Sequence, residues 1–281
     1  MAGSWTVQDA ARVLRRPTAA DDKYSRGVLG IRTGSDAYPG AAVLGVEAAW
    51  RTGVGMVRYL GPQVPTSLVL QRRPETVTVD GRVQAWLIGS GTDAADRSDA
   101  ETDALRGILS STLPVVVDAG ALDLTPRATA PLIVTPHVRE HARLRAALGL
   151  AEAEPTTDAE RAASALETAG ALGATVVLKG FVTIVASPGG WVTEVSAGTP
   201  WLATAGTGDV LGGAIGAVVA GAGPGRASAD ELGPLAATGV WLHGRAGSLA
   251  AGDLGPEGGP ITAGDVAAAL PHAVAEVLSA L

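Results

Sequence analysis

The segment Gly206-Thr207-Gly208-Asp209 combines residue types that can bind a phosphate group and also act on it. Its two glycines let the backbone approach a ligand closely, and the long apolar helix that follows contributes unpaired N–H groups and a positive dipole end. Such a helix start binds phosphate. Because a carboxylate repels a resting phosphate, Asp209 is better explained as a base that takes a proton from a hydroxyl attacking phosphorus. The alternative is a plain turn in which Asp209 or Thr207 caps the helix.

The composition of the 281-residue chain narrows the classes of protein to which it can belong. Apolar residues make up 47% of it, enough for a sizeable core. A net charge of −7 without a basic run argues against nucleic acid or a membrane as partner, and the longest apolar run, 210–222, is too short to span a bilayer. The chain has no cysteine, which excludes disulfides and thiolate metal sites. Its N-terminus lacks a signal-peptide core, so we expect a cytoplasmic protein.

Apolar strands alternate with helical segments along most of the chain. Strands are expected at 27–31, 54–60, 83–88, 114–118, 132–134, 175–178, 181–186 and 191–195, and helices at 6–16, 41–52, 138–148, 158–172, 209–221, 231–251 and 263–280. This alternation predicts an α/β fold with a mainly parallel central sheet covered by helices on both faces. We expect a single domain over residues 1–281, with residues 1–22 as an N-terminal helical extension.

The helix predicted at 209–221 contains three glycines, Gly212, Gly213 and Gly216. Each of them costs about 0.5–1 kcal/mol relative to alanine inside a helix. Their presence predicts that another helix or a bound nucleotide packs very close to this one.

Polar residues cluster where the predicted strands end. Gly89–Thr92, Asp118, His137, Lys179 and Gly206–Asp209 all lie just past a strand or at a helix start. In open α/β sheets the ligand site lies outside the carboxyl ends of the strands. We therefore expect these residues to form one site at that edge.

Several of these segments resemble those of one known family. The stretch 198–213 resembles the anion-hole segment of the ribokinase-like superfamily, and in particular that of the ADP- or ATP-dependent NAD(P)H-hydrate dehydratases. Tyr38-Pro-Gly-Ala-Ala42, Thr135-Pro-His137, Val176–Gly180 and Val240–Gly244 are similar to further segments of that family. The resemblance runs from about Lys23 to the C-terminus, and it implies a three-layer α/β/α ribokinase-like fold.

The resemblance also implies roles for individual residues. Asp209 is the catalytic base, and the substrate contacts are Ala41, Gly91, His137 and Asp209. The nucleotide contacts are Lys179, Gly180, Phe181, Val182, Thr183, Gly206, Thr207 and Gly208. Asp118 orients the substrate or a metal-bound water, or else caps a helix, and Glu140 lies near the phosphates or their metal. No metal ligand is assigned, and Val240–Gly244 is expected to pack near the adenine.

Four positions depart from the family pattern. Ser90 replaces a proline, which should cost loop rigidity while leaving the backbone path open. Val138-Arg139 replaces Pro-Gly and adds bulk and positive charge at the pocket edge, and Phe181 stands where a small residue is common. We expect these departures to alter the contacts that Glu140 makes and the shape of the pocket wall around Phe181.

The implied activity is the repair of hydrated NADH and NADPH. The C6 hydroxyl of the (6S)-hydrate attacks the terminal phosphate of ADP or ATP with Mg²⁺ present, and elimination of phosphate then restores the ring. A small-molecule alcohol or sugar kinase and an inactive nucleotide-binding relative are the alternatives. Relatives are commonly homotetramers, so we expect a homo-oligomer, and we expect the epimerase that acts on the same substrate to be a separate protein.

Overall fold

Nine strands form one sheet in the computed structural model, which describes residues 3–153, 155–223 and 228–280. They are β1 (Gly3–Ser4), β2 (Val28–Arg32), β3 (Met56–Tyr59), β4 (Ala85–Ile88), β5 (Val115–Val117), β6 (Leu132–Val134), β7 (Thr175–Leu178), β8 (Thr183–Ala186) and β9 (Val192–Val195). The order across the sheet is β1-β9-β8-β7-β6-β5-β4-β2-β3. Only β8 pairs antiparallel with its neighbours, β7 and β9, so the predicted mainly parallel sheet is confirmed for the described residues.

Helices cover both faces of this sheet. They are α1 (Val7–Val13), α2 (Pro39–Thr52), α3 (Gln63–Arg72), α4 (Asp99–Leu109), α5 (Val138–Ala147), α6 (Asp158–Leu172), α7 (Thr207–Gly221), α8 (Ala229–Gly252) and α9 (Ala263–Ser279), with 3₁₀ segments at Ala119–Arg127 and Pro200–Leu202. Alternate strand residues face different layers. Val116 joins the core formed with α2, α7, α8 and α9, whereas Val115 and Val117 join the core formed with α4 and α6. The arrangement has three layers, as predicted.

The N-terminal extension is less helical than predicted. Its helix ends at Val13, because Leu14 adopts an extended conformation with φ −75° and ψ 127°. Gly3 and Ser4 instead pair with Thr193 and Glu194 at the sheet edge.

The sequence prediction missed two helices, α3 and α4. Proline stands at position 62, where α3 is capped, and again at position 65 inside its first turn, and this obscures the helical pattern. Helix α4 carries a start signal that was available, since the Ser98 hydroxyl accepts a hydrogen bond from the Glu101 N–H. The acidic first turn after Ser98 is the feature that identifies this helix.

The glycines of α7 face another helix and the sheet. A side chain at Gly213 would run into the Gly45 carbonyl and the Ala48 methyl group of α2. Side chains at Gly212 and Gly216 would meet leucines 87 and 29 of the sheet. Of the two expected causes of close packing, the helix contact is therefore confirmed at Gly213, and the nucleotide contact is wrong for these three positions.

Replacing Gly213 with alanine should destabilise the protein. The new methyl group meets backbone atoms of α2 that cannot easily move, and such overpacking costs about 1–3 kcal/mol in the free energy of unfolding. Gly170→Ala is the matched control, because Gly170 lies in α6 with open space around it, and alanine there should add about 0.4–1 kcal/mol. Denaturant unfolding of both variants measures the difference, and equal effects would refute the close α2–α7 contact.

Candidate active site

The start of α7 presents two free backbone N–H groups. Gly206 precedes the helix in the left-handed conformation, with φ +89°, which favours glycine. The N–H groups of Thr207 and Asp209 bond back to the carbonyls of Thr204 and Gly206. Those of Gly206 and Gly208 have no partner among the described residues. No side chain caps this helix, so the interpretation of Asp209 or Thr207 as a cap is wrong.

A buried ion pair lies beside this helix start. Lys179 Nζ is 2.7 Å from Asp118 Oδ1, which also accepts a hydrogen bond of 2.8 Å from the Thr135 hydroxyl. A side chain at Gly208 would begin 3.9 Å from the same Nζ atom, so the ammonium group lies beside the start of α7. Asp118 makes no helix-capping bond, and the capping alternative for it is therefore wrong.

The charges around Lys179 keep it protonated. Burial alone would lower the pKa of Lys179, but the carboxylates of Asp118, Glu140 and Asp209 outweigh this and hold the pKa above its ordinary value. Glu140 Oε2 lies 3.7 Å from Nζ. The site thus places a protonated ammonium group next to the start of α7, an arrangement suited to a phosphate oxygen.

Asp209 is positioned by Ser90, a residue whose contribution the sequence prediction missed. The buried Ser90 hydroxyl lies 2.7 Å from Asp209 Oδ1 and 3.2 Å from Asp118 Oδ2. Burial raises the pKa of Asp209, the hydrogen bond from Ser90 opposes this, and the net pKa lies above the ordinary value of an aspartate. The serine at position 90, where the family pattern has proline at the end of a strand, was the available signal.

A cavity of about 530 Å³ opens beside Lys179 and Gly208. The predicted nucleotide-binding residues that line it are Lys179, Gly180, Phe181, Thr183, Thr207 and Gly208. Much of the remaining wall is apolar, with Val195, Pro200, Leu202 and Val240, and such a wall suits a flat base. Burial lowers the pKa of His243 in this wall to about 4, so its ring is neutral.

Two predicted nucleotide contacts do not line this cavity. The Val182 side chain packs into the core on the opposite face of the sheet, and its carbonyl accepts a hydrogen bond from Arg161. The tight turn between β7 and β8 directs this side chain away from the cavity, and the predicted nucleotide contact of Val182 stays a prediction. Gly206 is not among the residues that line the cavity, and its Cα packs against Leu44 and Ala263.

The predicted substrate residues separate into two groups. Gly91, with φ +66°, packs against the Ala41 methyl group, and the adjacent Ser90 connects this pair to Asp209. His137 instead lines the 530 Å³ cavity. Its Nδ1 atom accepts the N–H groups of Arg139 and Glu140 at the start of α5, so Nε2 carries the proton of the neutral ring and can donate.

The described residues contain no group of three or more histidine, aspartate or glutamate side chains that could hold a metal ion. A divalent ion here would take most of its ligands from phosphate oxygens and water. Over the same residues, no helix is long and apolar enough to cross a membrane.

Comparison with known proteins connects this geometry to one family. Residues 29–267 match a family described as NAD(P)H-hydrate dehydratase. The chain is 40% identical over 285 residues to the bifunctional NAD(P)H-hydrate repair enzyme Nnr of Mycobacterium leprae, a match that covers 97% of this chain and 54% of that protein. It is 36% identical over 267 residues to the ADP-dependent (S)-NAD(P)H-hydrate dehydratase of Neisseria meningitidis, covering 88% and 84% respectively. The chain thus spans about half the length of the bifunctional relatives.

A solved structure resembles the whole chain. The ADP/ATP-dependent NAD(P)H-hydrate dehydratase from Bacillus subtilis, co-crystallised with ATP and Mg²⁺, superposes with a TM-score of 0.83 at 27% identity. The match covers 98% of this chain and 99% of that one. The predicted ribokinase-like fold is confirmed.

Removing the Ser90 hydroxyl should raise the pKa of Asp209 further. The hydrogen bond stabilises the ionised carboxylate, so Ser90→Ala makes deprotonation harder. Carbon-13 NMR titration of aspartate carboxyls, with the Asp209 signal assigned by its loss in Asp209→Asn, measures the change. Ser164→Ala is the control, since the buried Ser164 hydroxyl has no partner among the described residues. An unchanged Asp209 pKa in Ser90→Ala would contradict the contact.

Proposed function

Since the chain belongs to the NAD(P)H-hydrate dehydratase family, we propose that it restores NADH or NADPH from the (6S)-hydrate, using ADP or ATP as phosphoryl donor. The observation that carries this proposal is the position of Asp209. A carboxylate with a raised pKa stands in the first turn of α7, between Ser90 on one side and Gly208, which lines a nucleotide-sized cavity beside the Lys179 ammonium. A carboxylate at a phosphate-binding helix start can take the proton from a hydroxyl while that hydroxyl attacks the bound phosphoryl group.

The proposed reaction begins at the C6 hydroxyl of the hydrated ring, placed against Ala41 and Gly91. Asp209 takes the hydroxyl proton as the oxygen attacks the terminal phosphorus, and the bond from that phosphorus to the rest of the nucleotide breaks. The N–H groups of Gly206 and Gly208, with Lys179, stabilise the charge on the transferring group. The C6–O bond then breaks as phosphate leaves, and loss of a proton from the neighbouring ring carbon restores the double bond.

Ser90 gives the abstracted proton a stable position. In the resting site the shorter of its two contacts, to Asp209, is the one to which its single hydrogen is assigned. Once Asp209 is protonated, it can donate to Ser90 Oγ, and the Ser90 hydrogen can turn to Asp118. Lys179 stabilises the negative charge on Asp118 in both arrangements. The network thus accommodates either protonation state of the base without leaving a buried polar group unpaired.

Magnesium is proposed as the partner of the nucleotide phosphates. Glu140 fits this part, because its Oε1 atom has only a contact of 3.6 Å to His137 Nε2 and lies at the site. Its carboxylate would hold the ion, directly or through water, while phosphate oxygens complete the coordination. The ion would supply charge neutralisation on the phosphates.

Further properties are carried over from the family as proposals. We propose a homo-oligomer, a tetramer by resemblance, located in the cytoplasm and organised as one domain. That a separate protein supplies the epimerase for the same substrate stays a prediction. A small-molecule kinase of the same fold would use the same base and the same phosphate-binding helix start, but it would release the phosphorylated alcohol. The identity of the product therefore distinguishes a kinase from a dehydratase.

Replacing Asp209 with asparagine should abolish turnover and leave nucleotide binding intact. The amide keeps the size of the side chain but cannot accept the proton, and loss of a general base costs about 10²–10⁴ in rate. Regeneration of NADH from its hydrate measures turnover, and calorimetric titration with ADP measures binding. Asp103→Asn, which changes an exposed aspartate on α4, is the control.

Two results would count against the proposal. Normal turnover by Asp209→Asn would exclude Asp209 as the base. Accumulation of a stable phosphorylated product by the wild-type protein would favour the kinase.

A further inference from the structure

A second cavity lies at the same edge of the sheet as the proposed active site. It has a volume of about 330 Å³, within the range of roughly 300–1,000 Å³ usual for small-molecule sites. Its walls come from the loop after β4, the 3₁₀ segment after β5 and helix α5; the residues are Thr92, Asp93, Ala94, Ala119, Gly120, Leu122, Asp123, Glu140, Arg143, Leu144 and Ala147.

This second cavity adjoins the proposed substrate contacts at two points. Thr92 directly follows Gly91, and its carbonyl packs against Gly120 in the cavity wall. Glu140 follows His137 by one helical turn and separates the second cavity from Lys179. A ligand whose reacting end lies at Asp209 and Gly91 can therefore extend into this space along the ends of β4, β5 and β6.

Arg143 is the charged group in this wall that is free to bind a ligand. Its side chain is exposed and has no ion pair or hydrogen bond among the described residues. Two of the three acids in the wall are already compensated, since Asp123 pairs with Arg97 at 2.6 Å and Glu140 lies 3.7 Å from Lys179 Nζ. The guanidinium fork of arginine matches phosphate geometry.

Asp93 offers a complementary polar group. One of its carboxylate oxygens accepts the Ala95 N–H at 2.9 Å, and the other has no partner among the described residues. A free carboxylate oxygen accepts hydrogen bonds from sugar hydroxyls, as acidic residues do for ribose in dinucleotide sites. The wall therefore combines one free cation with one acceptor for a hydroxyl.

We propose that the second cavity binds the adenosine half of the dinucleotide substrate, with Arg143 contacting one of its phosphate groups. The inference rests on the proposed function. If the hydrated nicotinamide ring of the substrate lies against Asp209, the adenosine at the other end of the dinucleotide must bind elsewhere on the protein. The 530 Å³ cavity is taken by the phosphoryl donor, and the second cavity is the neighbouring space with a free cation. The phosphate in question is the bridging pyrophosphate or, in NADPH hydrate, the additional 2′-phosphate.

The test compares wild-type protein with Arg143→Gln on NADH hydrate and on NADPH hydrate, with ADP as donor. We expect the KM for the hydrate to rise on the order of five- to tenfold, with kcat and the KM for ADP unchanged, since a phosphate contact remote from the reacting atoms contributes to binding alone. Arg127→Gln is the control, because Arg127 is an exposed arginine that does not line the cavity.

The outcomes separate the two phosphate sources. A rise in KM for both hydrates assigns the pyrophosphate, and a rise for NADPH hydrate alone assigns the 2′-phosphate. An unchanged KM for both in an active Arg143→Gln variant overturns the second-cavity proposal and leaves the proposed function standing. If the wild-type protein regenerates neither NADH nor NADPH, the proposed function fails and this inference fails with it.

Discussion

The buried ion pair between Lys179 and Asp118 is the interaction on which the site depends. The two residues follow β7 and β5, which lie on either side of β6, and parallel pairing brings the ends of these strands to the same edge. Removing one partner from such a pair leaves an uncompensated buried charge, at a typical cost of about 3–5 kcal/mol. The pair also keeps the ammonium group beside Gly208, where a transferring phosphate needs it.

Helix α7 joins this ion pair to the base. Its close approach to α2 at Gly213 brings its first turn over the sheet edge, so that Asp209 reaches Ser90 and Gly208 lines the cavity. The same burial that anchors the helix raises the pKa of Asp209. Packing and chemistry therefore depend on the same feature, a helix of small residues that fits tightly against its neighbours.

The sequence predicted the strands of the sheet well, because their buried, β-branched runs admit few alternatives. The site was also predictable, because polar residues recur directly after the predicted strands, and the carboxyl ends of parallel strands lie at one edge of the sheet. Helix α3 was missed because prolines hide its periodicity, whereas α4 was missed although its cap residue and acidic first turn were visible in the sequence. The Ser90 bridge was missed because it joins residues 119 positions apart, and only the fold brings them together.

Val182 shows a second limit of sequence reasoning. A contiguous motif suggests that all of its residues meet the ligand, yet a tight turn alternates side chains between two faces. Phe181 and Thr183 line the nucleotide-sized cavity, and Val182 between them enters the opposite core. The direction of the backbone decides which side chains of a motif contact a ligand. A single sequence does not specify that direction.

Recovery of NADH absorbance from the enzymatically prepared hydrate, with Mg²⁺ and either ADP or ATP, tests the account most directly. We expect NADH absorbance to recover only when a nucleotide is present. One inorganic phosphate should be released for each NADH formed. Binding of ADP and ATP without any recovery, or phosphate retained on a stable product, would contradict it.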